Sequence, residues 1–132
     1  MNFLLDTHIW LWMLLEPENL NSNVHSSLKD WKNRLFLSPV SVWELSLLVE
    51  KGYMTFSEGI NAWVTKSQKE LDLREAPFTI EVAARLRETH SMHRDPADRL
   101  LVATARAYDL TLVTADRKLH APIQGLDVLE NR

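Results

Sequence analysis

The sequence predicts an α/β fold, a three-layer α/β/α sandwich around a central, mainly parallel sheet. Three observations carry that prediction. Short apolar runs without polar alternation read as strands buried on both faces, and helical stretches too long for hairpins separate them. Hydrophobic residues make up 45% and charged residues 25% of the 132 residues, proportions that support a core and exclude disordered and fibrous chains. No repeat, low-complexity tract or long linker divides the chain, so residues 1–132 are expected to form a single domain.

The elements follow in order. Asn2 to Leu5 reads as a buried strand, and Thr7 to Glu16 as a helix closed by Glu16-Pro17-Glu18-Asn19. Val24, Leu28 and Trp31 fall at i, i+4, i+7 and mark a second, amphipathic helix. After the strand Leu35 to Leu37, Ser38-Pro39 supplies an N-cap and a proline at the first helical position, opening a helix that ends near Gly52. Ser57 is expected to cap the next helix, whose inner face carries Ile60, Trp63, Val64, Ser67 and Leu71. An extended piece at Leu73 to Ala76 precedes Pro77. Thr79 to His90 is expected to be helical with Val82, Ala83 and Leu86 inward, and Asp95-Pro96 opens the helix Ala97 to Tyr108. Leu110 to Val113 and Asp127 to Leu129 close the list as a buried strand and an edge strand.

Composition narrows the chemistry. With no cysteine there is no disulfide scaffold, thiol nucleophile or thiolate metal site, which fits a cytoplasmic location. The longest apolar stretch, Ile9 to Leu15, is far too short to span a bilayer, so no membrane association is expected. Met1 to Leu5 has no basic stretch before Asp6, so an export signal is not expected. The net charge of −3 argues at face value against nucleic acid, but it becomes +1 once four acids are taken into a metal site. No glycine-rich phosphate loop or nucleophile elbow occurs.

In parallel sheets the reactive site lies beyond the carboxyl ends of the strands, near a switch in strand order. That rule singles out Asp6, directly after the first strand, and Asp116, after Leu112-Val113-Thr114. Glu44 lies within the helix opened by Ser38-Pro39, and Asp98 in the first turn of the helix opened by Asp95-Pro96. Successive members of this set are 38, 54 and 18 residues apart, so only folding could gather them. Carboxylates without thiols suit hard ions such as Mg²⁺ or Mn²⁺, and several around a metal make a site for cutting phosphodiester bonds. Each acid also has a plainer reading: Asp6 and Asp95 as N-caps, Asp98 as a first-turn acid favoured by the helix dipole, Glu44 as a solvated helix residue and Asp116 as a turn residue.

The segments Leu4-Leu5-Asp6-Thr7-His8, Ser38-Pro39-Val40-Ser41-Val42-Trp43-Glu44, Asp95 to Ala105 and Leu112-Val113-Thr114-Ala115-Asp116 together resemble the PIN-domain ribonucleases, in particular the VapC-type toxins of bacterial toxin–antitoxin pairs. The resemblance implies a Mg²⁺- or Mn²⁺-dependent endoribonuclease that leaves a 5′-phosphate and a 3′-hydroxyl, paired with an antitoxin and forming a homodimer. It maps the catalytic acids onto Asp6, Glu44, Asp98 and Asp116, with Asp6 and Asp98 as the primary metal ligands. Thr7 and Thr114 take positions of supporting hydroxyls, and Asp95 belongs to the H-R-D-P-x-D-R signature. One departure stands out: where similar sequences often carry a lysine four residues after the glutamate, this chain has Leu48, with Lys51 one turn on.

Other features have less specific readings. His90 and His93 have a metal-like spacing but too few partners for zinc. His93, Arg94 and Arg99, with His90, Arg85 and Arg87, are candidates for a cationic flank on RNA phosphates, or for a solvated face; Arg99 is also a candidate partner for an acid of the site. Trp31, Trp43 and Trp63 are expected in the core, and of Trp10 and Trp12, on different sides of one helix, one is expected to meet a partner. Beside the nuclease, two other functions remain open: a small-molecule Mg²⁺ phosphohydrolase, and a catalytically idle RNA- or protein-binding module.

Overall fold

The computed structural model describes residues 1–92, 96–116 and 126–132. Five strands, β1 (Asn2–Leu5), β2 (Arg34–Leu37), β3 (Leu73–Glu75), β4 (Thr111–Thr114) and β5 (Val128–Glu130), form one sheet in the order β3-β2-β1-β4-β5. Every pairing is parallel, so the expected sheet is present and wholly parallel. Among the described residues six α-helices surround it: α1 (Thr7–Leu15), α2 (Ser22–Lys29), α3 (Pro39–Glu50), α4 (Ile60–Glu70), α5 (Ile80–Arg85) and α6 (Pro96–Tyr108).

Strand side chains alternate between two cores. Leu4 stands beside Phe36 and Leu112 in register, and these pack on Ala97, Leu101, Val102 and Ala105 of α6. Phe3, Leu5, Leu35, Leu37 and Val113 point to the other face, against Ile9, Trp10, Val24, Leu28 and Trp63 of α1, α2 and α4. Helix α3 belongs to both cores, with Val40 in the first and Leu45 in the second, and it touches both α1 and α6. It therefore bridges the two helical layers. Among the described residues no helix is long and apolar enough to cross a membrane.

The chain leaves β1 in one direction to build β2 and β3, then returns to the other side of β1 for β4. The strand order thus switches between β1 and β4, the strands that precede Asp6 and Asp116.

Several boundaries differ from expectation for local reasons. Gly59, not Ser57, is the N-cap residue of α4; its φ of 87° and ψ of 158° lie where only glycine is comfortable. Trp31 is 87% exposed because α2 stops at Lys29, so the helical spacing that would bury it no longer holds. The Asp30 carboxylate accepts the Lys32 N–H at 3.0 Å and turns the chain there. Trp43 is 53% exposed, since Val40, Ser41 and Leu45 take the inner face of α3, whereas Trp63 is buried as expected. Helix α5 ends at Arg85 and continues as a 3₁₀ segment, Leu86–Met92, which leaves Ala83 outside and brings Thr89 inside. Asp109 ends α6 with φ of 54°, a left-handed conformation that aspartate tolerates.

Candidate active site

Asp6 is held on both carboxylate oxygens. Its Oδ1 accepts the Thr7 N–H at 2.7 Å, the N-cap of α1, and its Oδ2 accepts the Thr114 hydroxyl at 2.6 Å. The Asp6 N–H donates to the Val113 carbonyl at 2.9 Å, fixing the acid's backbone to β4. Capping therefore does not exclude Asp6 from a site role. The capping bond orients the same carboxylate that the strand delivers to the edge.

Thr114 is fully buried and works in both directions. While its proton goes to Asp6, its oxygen accepts the Asp116 N–H at 3.0 Å. One hydroxyl at the end of β4 thus ties together the two acids that flank the switch in strand order. Asp116 is half-buried.

A second hydroxyl serves the third acid. Thr7 Oγ1, in the first turn of α1, lies 2.6 Å from Glu44 Oε1 and 2.9 Å from Ser41 Oγ on α3. A hydroxyl has one proton, and the short contact to a carboxylate claims it, so the Ser41 hydroxyl donates to Thr7 in turn. Ser41 is fully buried and stands three residues before Glu44, one helical turn away on the same face. It was missed at the level of sequence. The available signal was a serine within an otherwise apolar helix, at i−3 from the candidate acid.

Asp98 is half-buried in the first turn of α6. It begins the stripe that continues through Leu101, Val102 and Ala105, which pack on Leu4, Leu112 and Val40. Asp95, His93 and Arg94 lie outside the described residues. Arg99 bonds to Thr89 Oγ1 at 3.1 Å and to the Leu86 carbonyl at 3.3 Å, not to an acid of the set. His90 is exposed and its Nδ1 lies 3.0 Å from the Arg87 carbonyl.

Leu48, at the place where similar sequences often carry a lysine, packs half-buried against the α1 core, and Lys51 is exposed at the end of α3. Trp10 is buried, meets the Trp63 ring at a 52° tilt with centroids 5.2 Å apart, and donates to Ser67 Oγ at 3.2 Å. Trp12 is only half-buried, with the exposed His8 ring 5.9 Å away.

The donor set is made of carboxylates and hydroxyls, the chemistry that Mg²⁺ and Mn²⁺ prefer. Each Asp6 oxygen accepts one described bond and retains a lone pair for a cation. Among the described residues no three Asp, Glu or His side chains converge tightly enough to cage an ion. Mg²⁺ does not need them to, because one or two carboxylates suffice when waters and a substrate phosphate complete the shell. The residues present thus fit such an ion.

Residues 3–122 match the PIN domain family. Ribonuclease VapC22 of Mycobacterium tuberculosis is 30% identical over 119 residues, 89% of each chain. Among solved structures, VapBC2 from Rickettsia felis, bound to a DNA fragment from its promoter, superposes with a TM-score of 0.70 at 21% identity, covering 100% of both chains. DNA-bound VapBC from Salmonella typhimurium gives a TM-score of 0.71 at 15% identity over 98% of each. At these identities the two structures speak to the fold.

Proposed function

The chain belongs to the PIN-domain family, and on that premise we propose that it is a Mg²⁺- or Mn²⁺-dependent endoribonuclease, the toxin of a toxin–antitoxin pair. The observation that carries this reading is the pair of hydroxyl ties at the switch in strand order: Thr114 joins Asp6 to Asp116, and Thr7 holds Glu44. Kinship with a ribonuclease supports the substrate class. The VapBC complexes of the same fold support an antitoxin partner.

In this reading the whole chain is one cytoplasmic nuclease unit that works as a homodimer and cuts tRNA, rRNA or mRNA. Asp6 and Asp98 hold the divalent ion, with Glu44 and Asp116 completing the acidic surround. A divalent ion in such a surround supplies a nucleophile from water at neutral pH and offsets charge on the attacked phosphate. The chain's own contribution is to fix its acids before substrate arrives. Thr114 spends its proton on Asp6, so that carboxylate cannot swing toward solvent without losing a charge-assisted bond. Thr7 does the same for Glu44. The hydroxyl that supports Asp6 leaves its negative charge intact for a cation, where a lysine or arginine in that place would offset it.

The test is cleavage of total bacterial RNA by the purified protein with Mn²⁺, Mg²⁺ or EDTA, read by 5′-end sequencing, with Asp98→Asn alongside. Metal-dependent cuts at defined sites, lost in the variant, are expected. Removing one ligand should cost several kcal/mol of barrier, a fall on the order of a thousandfold. A variant that keeps most of the wild-type rate removes Asp98 from the cutting site, and no cutting by either protein in a preparation free of antitoxin returns the chain to the binding-module reading. Mass spectrometry of the same preparation shows whether a small antitoxin copurifies and masks the site.

A further inference from the structure

Arg99 follows Asp98 in the chain but leaves α6 on a different stripe, since one helical step turns the side chain by about 100°. The Asp98 stripe is continued by the buried Leu101, Val102 and Ala105. The Arg99 stripe is continued seven residues on by Arg106, and both arginines reach the 3₁₀ segment Leu86–Met92. Arg99 Nε donates to Thr89 Oγ1 at 3.1 Å and its Nη2 to the Leu86 carbonyl at 3.3 Å. Arg106 Nη1 lies 3.4 Å from the Glu88 carbonyl and 3.8 Å from the Glu88 carboxylate. Thr89 is 1% exposed and donates its own proton to the Leu86 carbonyl at 2.6 Å. Its hydroxyl therefore gives one bond and takes one, and among the described residues it is the oxygen that Arg99 Nε bonds.

We propose that Arg99 is a positioning residue, latched through Thr89 and the Leu86 carbonyl so that the first turn of α6 holds the Asp98 carboxylate toward Asp6, Glu44 and Asp116. It is not, on this view, a contact for RNA phosphate. A latch is needed because the other side of α6 is held by apolar packing, which has no preferred direction. Such packing alone only weakly opposes rotation of α6 about its own axis. Two directional bonds from a planar guanidinium oppose that rotation. What Asp98 is aimed at rests on the nuclease reading; how its helix is held does not.

The test compares Thr89→Val, Thr89→Ser and Arg99→Ala in the full chain. The measurements are Mn²⁺ affinity by electron paramagnetic resonance, kcat and KM for RNA cleavage, and the salt dependence of RNA binding. Thr89→Val and Arg99→Ala should each weaken Mn²⁺ binding on the order of tenfold, the low end for loss of a ligand's support. Both should lower kcat at saturating RNA and leave KM and the salt slope unchanged. Thr89→Ser, which keeps the hydroxyl, should behave as wild type. Thr89→Val with wild-type Mn²⁺ affinity and kcat, beside an Arg99→Ala with raised KM and a salt slope shallower by about 0.7, would make Arg99 a phosphate contact and overturn the proposal. Lower melting temperatures with unchanged Mn²⁺ affinity would overturn it too, leaving a purely structural bond. Should Thr89→Val fail to fold, Arg99→Lys takes its place, because an ammonium cannot serve Thr89 and Leu86 as a fork; wild-type Mn²⁺ affinity in that variant refutes the latch. Wild-type protein that binds Mn²⁺ but cuts no RNA removes the nuclease reading, and the Mn²⁺ series still decides the latch.

Discussion

Replacing Thr114 by valine keeps the shape of a fully buried side chain and removes one oxygen. That oxygen donates to Asp6 at 2.6 Å and accepts from the Asp116 N–H at 3.0 Å. A hydrogen bond to a charged group contributes about 1.5–3 kcal/mol. Asp116 is half-buried, so water can reach its orphaned N–H and little is added there. A loss of about 2 kcal/mol is expected, and for a chain of 132 residues this lowers Tm by about 7 °C. The effect on function is separate. With Asp6 no longer held, metal affinity and cleavage rate should fall by about 10- to 100-fold. The assay pairs thermal unfolding in metal-free buffer with cleavage across a Mn²⁺ titration, well below Tm. Thr114→Ser keeps the hydroxyl and should recover both quantities. A valine variant that melts like wild type and cuts at the wild-type rate would refute the claim that this hydroxyl organises the site.

The remaining predictions separate stability from chemistry at single positions. Asp6→Asn keeps a good N-cap on α1, so Tm should change by no more than a few degrees while cleavage is lost; retained cleavage removes Asp6 from the metal site. Trp10→Phe gives up the bond to Ser67 and part of a buried ring, and should cost about 2–3 kcal/mol in denaturant unfolding with no change in cleavage rate. Trp31→Ala, at a side chain 87% exposed, should shift stability by no more than about 0.5 kcal/mol; a larger loss would mean the residue is covered in solution.

The strands were legible because β1, β2 and β4 are buried on both faces, and that leaves a run of apolar letters with no alternation to misread. Ser38-Pro39 was equally plain, and the Ser38 hydroxyl does accept the Val40 N–H at 3.0 Å. The cap of α4 was not, because a serine two residues upstream looked better than a glycine whose left-handed backbone is invisible in the letters. Trp31 was misplaced for a related reason: periodicity extrapolates through a helix end that an aspartate turn imposes. At the site, the strand-end rule found Asp6 and Asp116 from the residues alone. Glu44 needed more. Nothing local says that α3 crosses from one helical layer to the other and meets Thr7 across 37 residues of chain. Arg99 shows the opposite difficulty. Beside an acid it reads as that acid's partner or as a cation for phosphate, and only the burial of Thr89 reveals a third role.

The strand order has a temporal side. β1 is made first but its outer neighbour β4 lies beyond residue 110, and the Thr114–Asp6 bond closes a separation of 108 residues. While the chain is still on the ribosome, β1 can pair with β2, yet the half of the edge that carries Asp116 has not emerged. A nascent chain of this design carries its first acid for most of its synthesis without a partner across the sheet. The bond between Thr114 and Asp6, and with it the edge that carries both Asp6 and Asp116, therefore forms only after β4 has been made.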